Sequence, residues 1–511
     1  MNVLIYNASP AWGVVYNALL EEINENIKKD NHVVLVNCDV RQISRVCIAN
    51  VFGIKSVCAY CRIINRICQR KVAPFVERRC LSDFGIKTIK QKENFGNLPV
   101  YDSLSEIKNI EYKGINIGLG CVSLYVHLTR NMNPEIDKSF KRYMDGLLAD
   151  SMRITDRFIE MTKTMKCDRY VFVNGRFPEN RPLYEILRGS RAQFESVEVI
   201  GFNGTCYKEV FENSIPQDLS LSQKRVIMAW NNSALSVEEK EKLGAAFFEG
   251  KKRGESLGDK SYTKDQNRNL LPKEYDPSKM NIMIFNSSED EYFSIDKDSP
   301  CRLYSSQLEA YRDIVDKFKD NERIHFYLRI HPNLKDIRYK YHTDLYLLSR
   351  YPNVTVIPAD SKISSYHLLD VADKVIVYGS SMGMEAAYAN KPVILLSEKW
   401  IYGEDIAYVP QSKNELYRLI DSNLKCKSQY ESLKYGFYFQ NRRLSGVLLE
   451  KDSQPETVDF KMIKYTNHKN RKIFGSNVLF MLFDITARTL MVKIPTGICS
   501  LVRNIPHKEK R

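Results

Sequence analysis

The sequence predicts an α/β protein made of two doubly wound parallel-sheet domains, and three observations carry that expectation. Short apolar runs recur along the chain with helix-period segments between them, the alternation from which parallel sheets are built. The alternation occurs twice, once from the first residues and again from Asn281, after the Pro-bearing stretch Leu270-Leu271-Pro272. A chain of 511 residues also exceeds one ordinary domain and can bury two cores. The expected division is a first domain over 1–275, a second over 276–425, and a helical return with a basic tail over 426–511.

Val3-Leu4-Ile5-Tyr6 opens the first domain as a strand. A loop from Asn7 to Gly13, an amphipathic helix ending near Lys29 and the strand Val33-Val34-Leu35-Val36 complete one unit of a parallel sheet. Residues 38–100 break the rhythm with cysteines and basic residues and read as an insertion or an elaborated edge. Helical patterns around 135–165 lead to the strand Tyr170–Val173, a turn at Asn174-Gly175 and a helix from Pro182 to Leu187. In the second domain strands are expected at 281–285, 325–330, 354–357, 374–378 and 393–396, with helices near Ser306–Phe318 and Ser364–Ala372. Ligands of such sheets sit beyond the carboxyl ends of the strands, so the loops that follow strands are where chemistry belongs.

The net charge of +14 is concentrated in two segments. Residues 461–511 hold eleven Lys or Arg against Asp484 and Glu509, and residues 41–80 hold nine against Glu77. The rest of the chain is slightly acidic, which argues against a general nucleic-acid binder. Two local basic surfaces suit anionic lipid or a pyrophosphate-bearing substrate, the plain alternative being solvated faces. Arg62, Arg66 and Arg70 fall at four-residue steps and would form a cationic stripe on a helix. Val478–Phe483 is apolar but is soon broken by Asp484, Arg488 and Lys493, which fits a helix lying in an interface or one docked on the first domain. No signal peptide is visible and no apolar run approaches the roughly 20 residues that cross a bilayer, so the expected location is the cytoplasm.

Twelve cysteines in that compartment would be reduced thiols. Cys58 and Cys61 have the spacing of half a zinc site, and Cys38 with Cys47 would complete four thiolates. Buried free cysteines are the other reading. Nothing in the segment supplies the histidine that a catalytic thiol needs.

Three post-strand loops in the second domain stand out. Asn286-Ser287-Ser288-Glu289-Asp290-Glu291 gathers hydroxyls and carboxylates, Arg329-Ile330-His331-Pro332-Asn333 leaves His331 at a strand mouth, and Gly379-Ser380-Ser381 opens a helix that carries Glu385. Hydroxyls and free backbone N–H groups at such places suit a phosphate, and together the loops point to a nucleotide site.

The stretch Asn281–Leu396, with these loops and Lys391-Pro392-Val393 after them, resembles capsule and O-antigen polysaccharide biosynthesis proteins. Val173-Asn174-Gly175-Arg176-Phe177 and the segments from Phe247-Phe248-Glu249 to Gln266 and Leu271-Pro272 fit the same group, so the resemblance covers most of residues 1–400. It implies the GT-B arrangement, two Rossmann-like halves facing across a cleft. More distantly, the His-Pro and paired-serine motifs are similar to those that hold the phosphate of a CMP-sugar in bacterial sialyltransferases and capsule Kdo transferases.

Carried over residue by residue, the resemblance implies that His331 donates to a phosphate oxygen of the donor and stabilises the departing nucleotide. Ser380 and Ser381 would bind the same phosphate, with Arg329, Gly379, Ser287 and Ser288 around it, and Glu385 would accept from a ribose hydroxyl. In the first domain Trp12, Gly13, Asn174 and Arg176 would position the acceptor or a donor carboxylate. Asp290 and Glu291 are the candidate general bases. Fixed donors of this kind would make a catalytic metal unnecessary. The implied activity is sugar transfer from a CMP-, UDP- or GDP-linked donor to a glycan or lipid-linked glycan acceptor of capsule or lipopolysaccharide, by a protein peripheral to the inner face of the cytoplasmic membrane. A nucleotide-sugar epimerase of the same two-domain form and a non-catalytic glycan-assembly partner are the rival expectations.

Overall fold

The computed structural model describes residues 1–8, 14–39, 45–70, 72–85, 98–202, 205–258, 261–264, 266–298, 301–398, 400–445, 447–448, 486–487 and 489–494. The chain forms two compact units, one of residues 1–200, 205–217 and 447–511, the other of residues 201–204 and 218–446. Each is built on its own largely parallel sheet, so the α/β class read from the sequence is the observed one.

The first unit contains β1 (Asn2–Asn7), β2 (His32–Asn37), β3 (Glu77–Cys80), the small hairpin β4 (Glu111–Tyr112) and β5 (Ile115–Asn116), β6 (Arg169–Val173), β7 (Gln193–Phe202) and β8 (Thr205–Glu212). Its main sheet runs β8-β7-β6-β1-β2-β3, and β3, β2, β1, β6 and β7 pair in parallel. Val3 to Asn7 are buried without alternation, as expected of a strand covered on both faces. The 38–100 segment is thus partly sheet edge, because β3 pairs with β2, and partly the helix Lys55–Cys68. That helix turns Val57, Tyr60 and Ile64 inward. Amides hold its far end: Gln69 Nε2 donates to Asn37 Oδ1 and to Asn65 Oδ1, each at 2.7 Å, and Asn7 Nδ2 donates to Asn37 Oδ1 at 2.9 Å. These amides largely satisfy one another, while Asn7 Oδ1 has no partner among the described residues.

The expected thiolate set does not form. Among the described residues no three His, Cys, Asp or Glu side chains come together in a way that would hold a metal ion. Cys58 Sγ instead accepts from Asn50 Nδ2 at 3.1 Å. Burial pushes the thiols of Cys58 and Cys47 up, Cys47 well up, and this favours the protonated form that does not ligate.

The second unit contains β9 (Met280–Phe285), β10 (Ile324–Arg329), β11 (Val354–Ile357), β12 (Lys374–Val377) and β13 (Val393–Leu395), all parallel in the order β11-β10-β9-β12-β13. In register, Phe285 pairs with both Arg329 and Val377, and Arg329 with Ile357. The strands therefore end at one level, and their following loops emerge side by side.

The chain enters this unit at Asp218, well before the division expected near 275. The cause is a helix cluster: Ser222–Asn232 and Val237–Arg253 pack against Gln429–Ser445, which lies far along the chain. A Cβ on Gly436 would lie 2.3 Å from the Gly244 carbonyl oxygen, so two glycines let these backbones touch. Trp230 meets Phe437 edge-on at 5.4 Å and Phe247 stacks on Phe439 at 5.2 Å. After this helix the chain rejoins the first unit as β14 (Val447–Leu448), antiparallel to β8. Most of the basic tail, including Val478–Phe483, lies outside the described residues. Among the described residues no helix is long and apolar enough to cross a membrane.

Candidate functional site

In the second unit the sheet order reverses direction on either side of β9, the switch point at which doubly wound sheets leave a crevice. A cavity of about 310 Å³ opens there, lined by residues that follow three strands: Asn286 and Glu291 after β9, His331 and Pro332 after β10, and Ser380, Ser381 and Met382 after β12. Arg329, at the end of β10, also lines it, as does Glu385. The loops singled out by sequence are thus brought to one place.

His331 is held in a defined orientation. Its backbone N–H donates to Asn286 Oδ1 at 2.6 Å, and its Nδ1 accepts from the Asn333 N–H at 3.1 Å. An acceptor role for Nδ1 puts the ring proton of the neutral imidazole on Nε2, which leaves that nitrogen as a donor. Tyr262 meets the ring edge-on at 5.4 Å. The proline after His331 is one reason the strand ends here, since it has no N–H to continue the ladder.

Arg329 is the least ordinary group in the site. Its side chain is 2% exposed, yet no carboxylate lies within ion-pair distance among the described residues. Its Nη1 donates to the Pro358 carbonyl and its Nη2 to the Ser361 carbonyl at 3.3 Å, while Nε has no acceptor among the described residues. Burial lowers its pKa to about 10, with Tyr346 and Asp360 opposing. The guanidinium still carries its charge at neutral pH, and a buried cation bonded only to carbonyls favours an anion beside it.

Other residues turn out to support the site and do not face it. The Ser287 hydroxyl donates to the Gly379 carbonyl, and its N–H to Gln307 Oε1 at 2.7 Å. The Ser288 hydroxyl donates to Asp290 Oδ1 at 2.9 Å, and neither lines the cavity. Of the two candidate bases Glu291 alone lines it, accepting from Asn333 Nδ2 at 2.6 Å. Gly379 has a packing role: a Cβ there would come within 3.0 Å of the Trp400 ring. Gly383 is tighter, since a Cβ would lie 2.0 Å from the Tyr402 hydroxyl. The carboxylate of Glu385 is engaged internally, accepting from the Tyr366 hydroxyl and from Ser381 Oγ at 3.4 Å. It acts here as a brace between two cavity walls.

Lys251, Tyr262, Gln266 and Tyr366 also line the cavity, and the sequence reading gave none of them a role in it. Gln266 Oε1 accepts from the Ser365 N–H at 2.9 Å, tying the 261–267 segment to a helix start. Tyr262 and Gln266 lie in an irregular stretch, while Lys251 belongs to the helix Val237–Arg253 and Tyr366 to the helix Ser365–Asp370. Asn286 aside, only a search for polar residues after every strand would have flagged their neighbours.

In the first unit the expected residues have local duties. Asn174 adopts φ 61°, its Nδ2 donates to Glu198, and its Oδ1 accepts from the Arg176 N–H at 2.9 Å. The Arg176 guanidinium lies over the Phe177 ring at 5.5 Å. Trp12 and Gly13 lie outside the described residues. Glu179, just beyond, was passed over: it is 8% exposed, burial pushes its pKa up to about 8, and its Oε2 has no partner among the described residues.

No family model matches the chain, and no curated protein matches it. Among solved structures it is similar to KpsC of Thermosulfurimonas dismutans, a β-Kdo 2,4 transferase, at 14% identity and a TM-score of 0.34 over 53% of this chain and 79% of that one. It is also similar to the UDP-GlcNAc 2-epimerase of Neisseria meningitidis, at 11% identity and a TM-score of 0.30 over 87% of this chain and 98% of that one. A third is the calicheamicin glycosyltransferase CalG4, at 9% identity and a TM-score of 0.25 over 86% and 94%. At these scores the likenesses carry no argument about reaction or substrate. Function rests on the site itself.

Proposed function

We propose that this chain is a glycosyltransferase that draws its sugar from a nucleotide-sugar donor, with the donor phosphate seated in the cavity of the second unit. The observation that carries this reading is Arg329, a buried cation with an unused Nε and no carboxylate partner among the described residues, in the wall that also presents His331. When the bond from the sugar carbon to the phosphate oxygen breaks, its electron pair stays on the phosphate. A donor at His331 Nε2 and the charge of Arg329 would stabilise that anion without reorganising. The hydroxyls of Ser380 and Ser381 add donors, and Glu291 is the cavity carboxylate suited to take the acceptor's proton. The acceptor is a glycan or lipid-linked glycan, with the protein held peripherally at an anionic membrane face.

The test is a thermal-shift screen of the purified chain against CMP, UDP and GDP, because a ligand that binds the folded state raises its apparent stability. One of the three should raise the midpoint, and His331→Ala should remove most of that rise. An unchanged rise in the variant would take His331 out of the site, and no rise with any nucleotide would refute the reading. Conversion of a free nucleotide-sugar without acceptor would assign an epimerase instead.

A further inference from the structure

Described parts of the two basic segments, 55–70 and 489–494, meet in the first unit. The short helical stretch Thr489–Lys493 packs on the helix Lys55–Cys68: the Ser56 hydroxyl donates to the Met491 carbonyl at 2.7 Å. Met491 and Ala487 join the apolar cluster that holds Tyr60 and Ile64. The inward side of the Lys55–Cys68 helix is thereby fixed, and its outward side is fixed with it. Helical spacing puts Lys55, Arg62, Arg66 and, just past the end, Arg70 on that outward stripe, where Lys55, Arg66 and Arg70 are exposed.

Large apolar side chains stand beside this charge. Ile63, on the same stripe, is 36% exposed, and Leu490 and Ile494, on the docked segment, are 59% and 47% exposed, with Lys493 exposed between them. Seven residues separate Ser56 from Ile63 and seven more reach Arg70, so the docked segment, the apolar residue and the cation lie along one side of the helix. Exposed aliphatic groups are ordinary one at a time; here three of them stand beside a cationic stripe. Cations that reach lipid headgroups, with leucine and isoleucine entering the acyl boundary between them, form an interfacial binding face.

We infer that this composite surface, from the Lys55–Cys68 helix and the Thr489–Ile494 segment, docks the protein on an anionic lipid bilayer. The inference deepens the membrane part of the proposed function and does not depend on the nucleotide cavity. It is tested with the full chain by co-sedimentation with phosphatidylcholine vesicles, with and without phosphatidylglycerol. The chain should pellet with the anionic vesicles only, less at high salt. The R62E/R66E/R70E variant should bind them roughly tenfold or more weakly, and L490S/I494S should lose the part of the binding that survives high salt. Unchanged binding by both variants would overturn the inference, as would binding to a soluble polyanion such as heparin without binding to vesicles. These side chains are on the outward face, so both variants should keep the wild-type melting midpoint; if the charge variant does not fold, L490S/I494S and the salt series still decide. Loss of vesicle binding with the nucleotide-induced thermal shift intact separates this surface from the cavity.

Discussion

At the scale of single residues, burial without an opposite charge is what distinguishes the groups around the site. Arg329 keeps its charge although its guanidinium is bonded only to the Pro358 and Ser361 carbonyls. Glu289 responds in the opposite way. It is 6% exposed, and burial pushes its pKa up to about 7 against the bonds it accepts from the Gln307 N–H and Nε2, each at 3.4 Å. The unfolded chain ionises this carboxyl near the ordinary glutamate range of about 4.3. Its contribution to stability is therefore complete below that range and is lost as pH rises through about 7, where the folded state must bury a charge. Glu289→Gln keeps an acceptor for Gln307 and removes the titration. Melting midpoints measured by circular dichroism between about pH 5 and pH 8 should fall less with rising pH in the variant than in the wild type. Parallel curves would show that Glu289 is ionised throughout.

At the scale of elements, strands were legible and packing partners were not. β1, β9, β10 and β12 are covered on both faces, and this forces runs such as Val3–Tyr6 and Ile282–Phe285 that a sequence displays openly. The helix Val237–Arg253 gave no sign that it belongs with Gln429–Ser445, because their contact depends on Gly244 meeting Gly436 across a long sequence separation. Gly379 carries a packing demand that its place in the Gly379-Ser380-Ser381 turn does not display: in the fold it makes room for the Trp400 ring, as Gly383 does for the Tyr402 hydroxyl. The join of α1 (Val14–Lys28) to β8 was hidden as well: Lys208 Nζ, 2% exposed, bridges Glu22 Oε2 at 2.9 Å and Glu25 Oε1 at 2.7 Å. Lys208→Met would leave the buried Glu22 carboxylate without its cation, and such losses cost about 3–5 kcal/mol. Urea unfolding at neutral pH should show a loss of that size. A loss under about 1 kcal/mol would mean the bridge offsets only its own desolvation.

At the scale of the whole molecule, the charge map and the site divide between the two units. The first unit holds the described residues of both basic segments and joins them through the docked Thr489–Lys493 stretch. The second holds the switch-point cavity, with His331, Ser380 and Ser381 on its wall. The convergence of those three was legible in the sequence, since each follows a strand of one parallel sheet and strands in register end together. The wall of Tyr262 and Gln266 was not, because both lie in an irregular stretch that no periodicity marks. The most direct measurement of the central claim is a crystal structure of the chain with the nucleotide that gives the largest thermal shift. Its phosphate is expected in the cavity, within hydrogen-bond distance of His331 Nε2 and at least one of Ser380 and Ser381, with Arg329 beside it. A nucleotide bound elsewhere, with this cavity empty, would contradict it.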